Sequence, residues 1–124
     1  MALANTETLS DHDSAAAEQM LRNALAVKLR IVMLVFGTGA AAANVATMAD
    51  ELCEKTQLPT GNLRHVVWVP NMMPAVSAIL APIVGPTVPR VAVLTMDGTL
   101  ATTIPEGAPV DRIILEQAFV DGGL

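Results

Sequence analysis

Leu29-Arg30-Ile31-Val32-Met33-Leu34-Val35-Phe36-Gly37-Thr38-Gly39-Ala40-Ala41-Ala42 is the stretch that decides the fold class of this 124-residue chain. Leu29–Phe36 is dense in branched apolar residues and reads as a buried strand, since strands covered on both faces run continuously apolar instead of alternating. Gly37-Thr38-Gly39 turns the chain. Ala40–Thr56 then forms a helix, by propensity and by the spacing of Val45, Met48, Ala49, Leu52 and Cys53.

On the N-terminal side, Ser14 can cap a helix through Ala15–Val27, with Glu18 in its first turn favouring the dipole. Met20, Leu21, Ala24, Leu25 and Lys28 carry helical spacing. Residues 1–13 are polar and acidic without an apolar period and read as a flexible arm preceding one domain over 14–124.

On the C-terminal side, Pro59-Thr60-Gly61-Asn62 is turn chemistry and Leu63–Val69 a second strand. Asn71 opens a helix over Ala75–Ile83, with Pro74 in its first turn and Pro82 and Gly85-Pro86 ending it. Pro89–Met96 is a third strand, and the tight turn Asp97-Gly98 returns it as Leu100–Ile104. Pro105–Pro109 is a loop, Asp111–Val120 a last strand, and Gly122-Gly123 ends the fold. The order is helix, then β-α-β-α-β-β-β.

Apolar residues make up 52% of the chain and charged residues only 15%. So few charges leave apolar surface for another subunit to cover, which points to an oligomer. The formal charge of −5, the scattered cations, and an aromatic set of one Trp, two Phe and no Tyr argue against nucleic-acid binding. Ile31–Ala49 and Val66–Pro89 are long enough to span a bilayer. The first is interrupted by Gly37, Thr38, Gly39, Asn44 and Thr47 and the second by five prolines, so neither reads as a membrane span. No signal peptide is expected at residues 1–13, and a cytoplasmic protein is expected. Cys53 is the only cysteine and reads as a buried small hydrophobe. One Cys with His12 and His65 makes no metal site, and no metal or cofactor is expected.

Three features could carry chemistry. Gly37-Thr38-Gly39-Ala40-Ala41-Ala42 fits a G-x-G-x-x-A turn, in which backbone N–H groups approach a phosphate at a helix N-terminus. The ribose-binding acid of a dinucleotide site is missing, because the next strand ends Val69-Pro70-Asn71. Arg90 and Glu116 each interrupt an apolar strand, where a charge must be paired, exposed or facing a ligand. Arg90 could grip a carboxylate while Glu116 positions water or moves a proton; a structural ion pair between them is the competing reading. His65 lies on a strand with no adjacent acid.

From Asn44-Val45-Ala46-Thr47-Met48-Ala49-Asp50-Glu51-Leu52 onward the chain resembles the Rid (YjgF) family. Leu63-Arg64-His65-Val66-Val67-Trp68-Val69-Pro70-Asn71-Met72 is similar to a family strand. Pro89-Arg90-Val91-Ala92-Val93 resembles its Pro-Ala-Arg strand, and Glu116-Gln117-Ala118-Phe119-Val120 its closing strand. Leu115-Glu116-Gln117-Ala118 also resembles the end of AroH-type chorismate mutases, which share the fold. The resemblance implies an α+β fold with a mixed sheet and two helices packed on one face, plus the N-terminal helix. It further implies a homotrimer with intersubunit clefts and hydrolysis of enamines or imines without a cofactor. It would have Arg90 hold the substrate carboxylate and Glu116 orient water; Val91 and His65 are further candidate substrate-binding residues.

Two other functions stay open. The absence of Tyr, and Val91 where the family commonly has Ser or Thr, favour a non-catalytic sensor or assembly subunit of the same fold. A nucleotide-binding α/β module using Gly37 and Gly39 would have a parallel sheet.

Overall fold

A computed structural model describes residues 3–27, 30–54, 57, 58 and 61–123. The central strand β2 (Ile31–Phe36) is buried at every position. Alternate side chains point to opposite faces, so such a strand requires cover on both sides. The remaining elements supply that cover. In chain order they are β1 (Thr6–Thr8), α1 (Ser14–Ala26), β2, α2 (Gly39–Glu54), β3 (Gln57–Leu58), β4 (Gly61–Asn62), β5 (Arg64–Val69), α3 (Pro74–Val84), β6 (Val91–Leu94), β7 (Leu100–Ile104) and α4 (Arg112–Asp121).

Five strands form one mixed sheet in the order β1-β5-β2-β6-β7. β5 is parallel to both β1 and β2, β6 is antiparallel to β2, and β7 is antiparallel to β6. Ile31, Met33 and Val35 of β2 face α2 and α4, packing with Val45, Ala49, Leu115 and Phe119. Val32, Leu34 and Phe36 face α1 and α3, packing with Leu21, Val76 and Leu80. The architecture is therefore α+β with helices on both faces, and the expected pair of helices on a single face is corrected. The long apolar run of β2 is the physical reason, since a sheet with one solvated face would show alternation there.

The largest departure concerns residues 111–120, expected as a strand. They form α4, with the Asp111 carboxylate accepting from Ile114 N–H as an N-cap. Leu115, Ala118 and Phe119 then lie on one buried stripe at helical spacing. The expected arm also differs. Thr6–Thr8 pairs with Val66–Trp68 as an edge strand, and Leu9 is buried. Asp50 of α2 fixes that strand: its Oδ1 accepts from Asn5 N–H at 2.7 Å and from Thr6 Oγ1 at 2.9 Å.

Smaller differences follow local chemistry. Asp13 caps α1 in place of Ser14, accepting from Ala16 N–H. Pro82 lies inside α3, which runs on to Val84, and Asn71 makes no cap because its amide donates to Asp11 O. The Asp97-Gly98 turn closes the β6–β7 hairpin with Gly98 at φ +85°. Gly61 and Asn62 pair with Leu58 and Gln57. Lys28, Leu29, Lys55, Thr56, Pro59 and Thr60, on which parts of the expected helix, strand and turn fell, lie outside the described residues.

Candidate functional site: an arginine cavity at the end of the central strand

β2 ends at Phe36, where its neighbours diverge in direction: β5 runs parallel to it and β6 antiparallel. Open sheets bind ligands in such crevices beyond the carboxyl ends of parallel strands. Here the chain turns through Gly37 at φ +108° and Gly39 at φ +90°, conformations that residues with a Cβ rarely adopt. The turn is held on two sides. Gly37 N–H donates to Val69 O at 3.1 Å, and Trp68 Nε1–H donates to Gly37 O at 2.8 Å. α2 starts immediately afterwards. Its first N–H groups have no intrahelical acceptor, so they give this end partial positive charge.

Arg90 comes from the opposite wall. Its backbone is bonded on both sides: Arg90 N–H donates to Ile104 O at 2.8 Å, and Phe36 N–H donates to Arg90 O at 3.1 Å. The side chain lines a cavity of about 230 Å³ with Phe36, Gly37, Thr38, Ala41 and Glu106. Its Nε is buried without an acceptor, and among the described residues nothing pairs with the guanidinium. A buried donor without a partner is costly, and a fork of this kind matches a carboxylate.

Glu116 lies elsewhere. As part of α4 it faces the amino end of β5, where it meets Arg64. Arg64 Nη2 donates to Glu116 Oε1 at 2.8 Å and Nη1 to Oε2 at 3.0 Å. Nη1 also reaches Leu52 O at 3.3 Å, and the guanidinium lies 4.7 Å from the Phe119 ring centroid. Arg64 and Val69 are five positions apart in β5, about 17 Å at strand rise. The structure thus separates Arg90 from Glu116 and joins neither to His65. A charged residue in an apolar segment did need a partner, but Glu116 finds it in Arg64, which the sequence presents as one more scattered cation. Helical spacing over 111–120 places Glu116 beside the Leu115–Phe119 stripe, within reach of β5 and not of Arg90.

The other expected site residues are also placed. Val91 is fully buried in the core facing α2 and α4, away from the cavity lining. His65 is half-buried on β5. Burial first, then the positive charge of Arg30, hold its imidazole below the ordinary value of 6.5, against an opposing pull from Glu7. A His depressed in the fold leaves the unfolded chain binding more protons. Its contribution to stability is therefore full above pH 6.5 and declines as pH falls below 6.5 toward the folded value. Urea midpoints of wild type and His65→Gln between pH 7.5 and 5.5 check this. The variant is expected to lose part of the acid-side decline, and identical slopes would show that His65 contributes none of it.

Cys53 is buried, and burial with the charge of Asp50 pushes its thiol up to about 12, which keeps it protonated and unreactive at neutral pH. No group of His, Cys, Asp and Glu among the described residues is arranged to hold a metal ion. No helix among them is long and apolar enough to cross a membrane.

Comparison with protein-family models, with curated proteins and with solved structures gives no match. The chemistry of the site is therefore read from its own residues. A second cavity, lined by Leu9, Asp11, Trp68 and Pro70, shares Thr38 with the first.

Proposed function

We propose that this chain binds a small carboxylate-bearing metabolite in the Arg90 cavity. The single observation that supports this is the Arg90 guanidinium, set in a concave site with its Nε buried and no acceptor among the described residues. The carboxylate would accept from the guanidinium fork, with the first turn of α2 opposite it adding partial positive charge. Hydrolysis with Glu116 orienting water is not favoured, because both its oxygens accept from Arg64. A dinucleotide is not favoured either. About 230 Å³ falls below the usual range for drug-sized ligands, and Asn71, at the end of β5, spends its amide on Asp11.

The test uses the only tryptophan. Trp68 is bonded to the Gly37 carbonyl, itself part of the cavity wall, so its fluorescence reports occupancy. Titration with short aliphatic carboxylates should give a saturable change in wild type, and Arg90→Met should weaken it at least about tenfold, as loss of a charge-assisted pair implies. Equal binding by Arg90→Met, or no binding of any carboxylate, would reject the proposal.

A further inference from the structure

We propose that the ligand of this cavity is an amino acid with an apolar side chain, an inference that rests on the carboxylate reading above. Glu106 is the reason. The β6–β7 pairing continues through Arg90 N–H to Ile104 O, two residues before Glu106, and so sets the two side chains at one mouth. Ala108 N–H donates back to Pro105 O at 3.1 Å, and Gly107 takes φ +87°, which holds the Glu106 turn in shape. Both charges line the cavity, yet they form no ion pair with each other. A simple monocarboxylate bound to Arg90 would face the like charge of Glu106, and like charges brought together oppose binding. An α-ammonium group reverses the sign of that interaction. It satisfies Glu106 while the α-carboxylate satisfies Arg90. Beside Gly37 and Thr38, the remaining wall includes apolar groups of Phe36, Val45, Val88 and Pro89, which suit an aliphatic side chain.

Calorimetric titration of the full chain with leucine, valine and methionine, each beside its own 2-oxo acid, separates the possibilities. The best-bound amino acid should exceed its 2-oxo acid by about fivefold, the scale of an ion pair at a solvated rim. Glu106→Gln should bring the two to equal affinity by weakening the amino acid and relieving the repulsion on the 2-oxo acid, and Arg90→Met should weaken both. Glu106 is exposed, so its variant tests binding with the fold intact. A 2-oxo acid that binds wild type as tightly as its amino acid overturns the amino-acid assignment and leaves the carboxylate site standing. An amino-acid preference that survives in Glu106→Gln overturns it too. If neither series binds, the carboxylate reading itself falls.

Discussion

Glu116→Ala should lower stability by about 3 kcal/mol, whereas Arg64→Met should cost markedly less and the double variant no more than Arg64→Met. The asymmetry follows from burial. The Arg64 side chain is 1% exposed and that of Glu116 46%. Removing the carboxylate takes from a buried guanidinium a bidentate anionic partner, and breaking such a pair from one side costs about 3–5 kcal/mol. The lower end applies here because water reaches Glu116. Methionine at position 64 fills most of the same volume against Phe119 and carries no charge, while the carboxylate it leaves behind can be solvated. Replacing a buried pair by apolar side chains is often close to neutral. For a chain of this length, 3 kcal/mol corresponds to a fall of roughly 10 °C in Tm. Urea unfolding of the three variants measures it. Equal losses for Arg64→Met and Glu116→Ala would mean that attraction within the pair, rather than the cost of burying the guanidinium, dominates.

Gly122→Ala should destabilise by about 2–3 kcal/mol, against the direction that helix propensity alone would give. Gly122 has φ −73°, a backbone conformation open to any residue, and Ala is the better helix former. Space decides the outcome. A Cβ at this position would lie 2.6 Å from Ile31 Cγ2 and 2.9 Å from Val93 Cγ1. Both neighbours are β-branched side chains of central strands, stiff at χ1 and fully buried, so neither can swing aside. The last turn of α4 must lift instead, with an overpacking cost at the upper end of about 1–3 kcal/mol. Denaturant melts of Gly122→Ala, with Gln117→Ala on the exposed side of α4 as control, check this. A neutral Gly122→Ala would mean that α4 does not sit so close to the sheet.

The parts of the fold that were readable in the sequence share one property, which is that local pattern and tertiary environment agree. Ile31–Phe36 is apolar at every position and buried at every position. Asp97-Gly98 asks for a tight turn between two strands and makes one. Gly37 and Gly39 mark a turn that needs positive φ. The misread parts lack that agreement. Residues 111–120 contain enough branched residues to suggest a strand, and Ile113, Leu115 and Gln117 imitate its alternation. The decisive cues were the Asp111 cap and the 3–4 spacing of Leu115, Ala118 and Phe119. Thr6–Thr8 is polar and short, and only Asp50, far along the chain, and the free edge of β5 make it a strand. No local pattern could supply that. Arg90 was identifiable as an out-of-place charge, but Glu106, in a loop of Pro and Gly, gave no sign of sharing its cavity.

The pairing of the sheet's first strand also bears on the order in which the molecule assembles. Thr6 aligns with Val66 and Thr8 with Trp68, so β1 has no docking edge until a strand sixty residues later exists. Contacts so distant along the chain carry a large loop-closure cost and form slowly. The β2-α2-β5 unit, whose pairing spans little more than thirty residues, can close before them. During synthesis the N-terminal segment must wait, with Leu9 uncovered, for β5 to emerge. β1 is thus fastened after the β2-α2-β5 unit, and its attachment completes the parallel half of the sheet.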